Sequence, residues 1–287
     1  MGKRGSSSGF GSGGPIAAAA PAAPAASSPA QQAPAAQQTQ PQAQGTPDSL
    51  ASAQTHAEIA AYMQAKHGIQ VNTSALRNMS TDALRTACDG IEAVIDEFPG
   101  VARYIRTVTN GSRGRAIAKV NVRGDIQLNP KLWATQQAID ATAASNVRRK
   151  FHPQGTGARE FTSHEVGHLL NLMVINAAVR REDAARQARG QTPMTKMQRR
   201  FMSAADWNAH TTATSIVDRA VAAVTQKAQA AGHKPATRSQ LRKNVSGYAM
   251  DNDSETVAEC VADYIANRGK ARRLSQEVWA ILKQEIK

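Results

Sequence analysis

The residues best equipped for chemistry lie in one short run, His164-Glu165-Val166-Gly167-His168. On an α-helix, positions i and i+4 share a face, so the two imidazoles can take two corners of a zinc tetrahedron. Glu165 stands one step round from His164 and can reach a water held at the same ion. That water needs its pKa lowered by the metal and its proton taken by a base, and an HExxH helix supplies both. Two surface histidines on an ordinary helix would spell the same five letters. The residues that follow argue against that. Leu169, Leu170, Leu172, Met173, Val174 and Ile175 cover nearly the whole circumference at 3.6 residues per turn, so the helix is expected to be buried. Buried imidazoles and a buried carboxylate need partners, and a metal ion provides one. Gly167 costs about 1 kcal/mol of helix propensity relative to Ala, which a close backbone approach would explain.

Two histidines leave zinc one protein ligand short. The candidates are His152, His210, His233 and the carboxylates downstream. The richest downstream segment runs from Tyr248 to Tyr264. Asn252 or Asp253 can cap a helix there. Val257, Cys260, Val261, Tyr264 and Ile265 form an apolar stripe, and at about 100° per residue Glu255 and Glu259 fall together on roughly the opposite face. An amphipathic surface helix with two solvated glutamates would show the same pattern. His210 has no helical partner three or four residues away.

HExxH followed by a distant Glu-xxx-Glu helix resembles the gluzincin pattern of zinc metallopeptidases. The spacing is similar to that of the anthrax lethal-factor-type catalytic domain, and to the zincin domains of bacteriophage head-associated proteins and some bacterial toxins. In that family a Ser-x-Tyr segment stands seven residues before the ligand glutamate, in a pattern like Tyr-x6-Glu-xx-Ala-Glu. Here the matching residues are Ser246-Gly247-Tyr248, Glu255, Ala258 and Glu259. The resemblance covers about residues 151–267. It implies a Zn2+ cofactor held by His164, His168 and Glu255, with Glu259 behind a ligand histidine. It implies that Glu165 acts as general base and that Tyr248 aims its phenol at the reacting carbonyl oxygen. The implied activity is endopeptidase cleavage of a polypeptide substrate, in a phage or toxin setting. The alternative is a structural, packaged component of a phage particle whose zinc site does no catalysis.

The expected fold is therefore α+β and zincin-like, mostly helical, with a small antiparallel sheet beside the metal helix. Residues 51–100 read as helical, with one segment opening at Ser80 or Thr81 and ending at Pro99-Gly100. Val101–Val108 reads as extended, and Asn110-Gly111 as a turn. Residues 115–128 form the clearest hairpin, turning at Arg123-Gly124-Asp125, whose integrin-type tripeptide we take as coincidence. Its edge could serve as a ledge on which an extended substrate adds a strand, along either Ala116–Val122 or Ile126–Leu128. Trp133–Asn146 is expected to be helical and 151–157 a loop. The metal helix is assigned to 157–180, a helical insertion to 181–245 with a long helix from Ala204 to about Ala231, and the Glu255 helix to 252–267.

Composition bounds the setting. Residues 1–50 are rich in Gly, Ser, Ala, Pro and Gln and cannot bury enough surface to offset chain entropy, so a disordered arm is expected. The formal charge is +13, and Lys3, Arg4 and Asp48 are the only charged residues before Ala51, so nearly all of it lies beyond the arm. Such a balance favours an acidic partner or nucleic acid, although the basic pairs are scattered and no RNA-binding aromatic signature accompanies them. Cys88 and Cys260 make no disulfide framework and read as small buried hydrophobes. No apolar run reaches the roughly 18–20 residues of a membrane span. Pro15, Pro21 and Pro24 break up the one stretch that imitates a signal peptide, so a cytoplasmic or virion-associated chain is expected over a classically secreted one.

Overall fold

The helix bearing His164 runs from Arg159 to Ala188, and nearly every side chain of its first half is buried. A computed structural model describes residues 46–111, 114 and 116–286. The expected arm therefore lies, up to residue 45, outside the described residues.

In chain order, helix α1 (His56–His67) opens with a capping box in which Thr55 accepts from Glu58 N–H and ends at left-handed Gly68. Strand β1 (Gln70–Val71) follows, then helix α2 (Thr81–Ile95), capped by Ser80. Strand β2 (Thr107–Asn110) comes next, then β3 (Ala118–Val120), β4 (Asp125–Leu128), and helix α3 (Gln136–Arg148), capped by Thr135. The metal helix is α4 (Arg159–Ala188). Helices α5 (Lys196–Ala209), α6 (Thr211–Ala230) and α7 (Arg238–Val245) fill the expected insertion. Helix α8 (Asp253–Asn267) carries Glu255 and Glu259 behind its cap Asn252, and α9 (Arg273–Glu285) closes the chain. The described chain is thus mostly helical with one small sheet, the α+β class the sequence suggests.

The sheet differs from the expectation. It is mixed, in the order β1-β2-β4-β3, with β1 parallel to β2 and β2 parallel to β4. The hairpin supplies the antiparallel pair, Ala118 opposite Leu128 and Val120 opposite Ile126. The turn is where the sequence put it, at left-handed Gly124. Because β4 is paired on both sides, Ile126–Leu128 cannot be a ledge; the edge is β3. Pro99–Tyr104 is a 3-10 turn, so the extended segment starts only at Thr107.

Three helix boundaries also move. The α3 helix starts at Gln136, since Trp133 is buried and donates its indole N–H to Ile117 O at 3.1 Å. The α4 helix starts at Arg159 and continues to Ala188, through part of the polar stretch after Glu182. The single helix expected from Ala204 to Ala231 is two helices, joined at His210 with φ +56°.

Two contacts fix α4. Thr162 Oγ1 donates to Ala87 O at 2.7 Å and Ser163 Oγ to Gly90 O at 2.8 Å, tying the helix to α2. The crossing is so close that a Cβ on Gly90 would lie 2.0 Å from Arg159 O. On the other side α8 packs along α4, burying Val257, Cys260, Val261 and Ile265 in the common core. No described helix is long and apolar enough to cross a membrane.

Candidate metal centre

His164 and His168 stand on one face of α4, both buried, with their Nε2 atoms 3.2 Å apart. Glu255 enters from the first turn of α8. Its Oε2 lies 3.0 Å from His164 Nε2 and 3.4 Å from His168 Nε2. The three side chains form a group that could hold a metal ion. A tetrahedral site with ligand distances of about 2.0–2.1 Å has ligand–ligand edges of about 3.3–3.4 Å, and these three atoms make a triangle of nearly that size. The donor set fits as well. Three Lewis-basic atoms face one another, and Glu255 Oε2 is buried with no hydrogen-bond donor of its own. A cation at their centre satisfies all three.

The electrostatics say the same. Burial works against charge on His164, yet the carboxylates of Glu255 and Glu259 hold its pKa well above the usual histidine value. Burial likewise opposes charge on Glu255, and His164 and His168 pull its pKa well below the carboxylate range. The cluster favours positive charge at its centre.

Glu259, one turn after Glu255, is wholly buried, which rules out the surface-helix alternative for this segment. Its Oε1 lies 2.8 Å from His164 Nδ1, the place of a carboxylate that orients a ligand histidine. The same oxygen lies 2.8 Å from His152 Nδ1. His152 was one candidate third ligand; its ring instead stands behind Glu259. His233 lines a separate cavity beside α9, and His210 forms the α5–α6 joint, so neither belongs to the converging group. His168 has its own support, Ser254 Oγ at 3.0 Å from its Nδ1. Sequence reasoning missed the roles of His152 and Ser254. The only signals were a histidine just ahead of the metal helix and a hydroxyl adjacent to Glu255.

Glu165 is buried on the neighbouring face of α4. Burial, helped by the Glu255 charge, raises its pKa, although His164, His168 and the Val120 N–H of β3 favour its ionised form. Tyr248 lies flat on the His164 ring, centroids 5.6 Å apart, and Phe151 stacks on its other face at 5.0 Å. That stack is clamped by backbone: Gly247 N–H donates to Lys150 O at 2.7 Å and Tyr248 N–H to Phe151 O at 3.0 Å. Burial and the surrounding carboxylates push the phenol pKa up, so it stays a hydrogen-bond donor. The ring centroid of Trp207 of α5 lies 6.2 Å from that of His168, so the insertion packs near this histidine.

A cavity of about 540 Å³ is lined by His164, Glu165 and Tyr248, and also by Ala116–Ala118 at the β3 edge and by Arg149, the residue after α3. No protein-family model, curated protein or solved structure matches this chain.

Proposed function

We propose that the chain is a zinc-dependent endopeptidase of the gluzincin kind, hydrolysing peptide bonds in an extended polypeptide. The observation that carries this reading is the meeting of His164, His168 and Glu255 round one point, with Glu165 beside His164 in the lining of an open cavity. Two nitrogens and one carboxylate oxygen suit zinc and leave a fourth position open. When bound, the ion would lower the pKa of a coordinated water towards about 7 and polarise the scissile carbonyl.

The protein's own groups do the rest. Ser254 and Glu259 hold the two ligand imidazoles from behind. Glu165, buried beside His164, takes the proton of the attacking water and returns it to the leaving amine. Tyr248 donates a hydrogen bond to the oxygen that gains negative charge. The rest of the β3 edge, apart from the Val120 N–H that goes to Glu165, would offer backbone groups to an extended substrate.

The test uses purified chain loaded with zinc and a mixed peptide library. Cleavage that a chelator stops, that zinc restores, and that E165Q abolishes while retaining the metal is the expected result. Zinc binding without any cleavage would instead favour a structural metal in a particle-associated protein. Whether the setting is a phage particle or a toxin, and whether the basic surface meets nucleic acid or an acidic protein, does not alter this chemistry.

A further inference from the structure

Among the described residues, the cavity beside Glu165 is lined by one Arg or Lys side chain, Arg149, which the proposed mechanism does not use. Arg149 ends α3 and lines the same space as His164, Glu165 and Tyr248. Its Nη2 donates to Asn146 Oδ1 at 2.8 Å, and Asn146 is buried. Among the described residues, Arg149 pairs with no carboxylate. That sets it apart from Arg106, Arg159, Arg199, Arg238 and Arg272, each held by an acid. Its backbone is equally fixed. The next two residues, Lys150 and Phe151, accept from Gly247 and Tyr248 N–H, so Arg149 is anchored to the segment that carries the phenol. The lining of the cavity also includes the apolar side chains of Ile117, Phe151 and Phe161.

A guanidinium held at one end by a buried amide still has free N–H groups in a fork that matches a carboxylate. Apolar lining residues beside one such cation suit a side chain with an aliphatic stem and an acidic tip. We infer that Arg149 is a specificity residue, and that the cavity selects peptides carrying Glu or Asp next to the scissile bond. This rests on the peptidase reading above. It goes further by naming the side-chain class of the substrate.

The experiment uses the full chain loaded with zinc and quenched-fluorescent decapeptides of one scaffold. A single walked position carries Glu, Gln, Asp, Asn or Lys. At the position that occupies the cavity, kcat/KM for Glu should exceed that for Gln by about tenfold or more, as expected for a hydrogen bond to a charged group. R149M should bring the Glu-to-Gln ratio to about one, R149K should retain part of it, and R149E should turn the preference towards Lys. A second readout does not need turnover: zinc-loaded E165Q should bind the Glu peptide about tenfold more tightly than the Gln peptide by fluorescence anisotropy, and E165Q/R149M should bind both alike. Cleavage with no acidic preference, or a preference that survives R149M, overturns the assignment and leaves the peptidase reading standing. No cleavage of any peptide by wild type, with no binding by E165Q, overturns both.

Discussion

Gly167 of α4 meets Ala258 of α8 almost backbone to backbone: a Cβ on Gly167 would lie 2.9 Å from Ala258 Cα and 3.2 Å from Val261 Cβ. The contact falls between His164 and His168 on one helix and between Glu255 and Glu259 on the other. It sets the distance across which the two nitrogens and the carboxylate meet. This is the close approach that justifies a helix-weakening residue inside the motif.

G167A should therefore destabilise the fold despite its better helix propensity. Overpacking at such a contact costs about 1–3 kcal/mol, against a propensity gain of about 1 kcal/mol. It should also weaken metal binding by moving Glu255 away from the histidines. Urea unfolding of the metal-free chain and a zinc titration measure the two effects; a G167A protein more stable than wild type would contradict the packing argument.

Removing Glu255 should remove the metal. Wild type is expected to retain one zinc ion per chain after dialysis, and E255A to lose it, by metal analysis on the dialysed protein. The E255A chain should keep its helical signal, since Glu255 is partly exposed and lies in the first turn of α8. Equal zinc content in both proteins would mean that another group closes the site.

Loss of the orienting carboxylate should be felt at the metal without touching it. E259Q is expected to lower zinc affinity by about 10–100-fold, the usual effect of removing a group behind a ligand histidine. H152A should cost less, because Glu259 then still faces His164. Competition with a chelating dye ranks the three proteins, and an affinity for H152A below that of E259Q would reverse the roles assigned here.

The legibility of this site in the sequence followed from how local each relationship is. His164 and His168 are one helical turn apart, as are Glu255 and Glu259, so periodicity alone put each pair on a face. What brings the pairs together spans about ninety residues, and the resemblance rather than any spacing singled out Glu255. His152 was hidden for a related reason. It sits in an irregular loop with no period to read, and its partner Glu259 is 107 residues away. The sheet order was hidden too, because β1 has two residues and pairs Gln70 with Thr107 far down the chain. The hairpin, whose strands and glycine turn are contiguous, was legible, although its first strand is Ala118–Val120 rather than Ala116–Val122 and Arg115 lies outside the described residues.

Acid should weaken the fold partly through Asp125. The Arg106 guanidinium, aided by Asn121 and opposed by burial, holds its carboxyl below the usual range. A depressed folded-state pKa contributes stability that is complete above the unfolded value of about 3.9 and is lost as pH falls through the folded one. Denaturation midpoints measured from pH 5 downwards should therefore drop less steeply for D125N than for wild type. Identical slopes would remove Asp125 from the account.

Both thiols should be silent in the folded chain. Cys88 and Cys260 are fully buried; desolvation pushes the Cys88 thiol up to about 12 and raises Cys260 as well. Iodoacetamide at pH 8 should label neither until denaturant is added, as intact mass will report.

The position of β3 at the margin of the sheet has one more result. A polypeptide laid along Ala118–Val120 would be held by its main chain, and its side chains would alternate, one towards the cavity and the next towards bulk water. Selectivity in such an arrangement would have a stride of two: the protein would inspect every second residue of a bound chain and be indifferent to those in between.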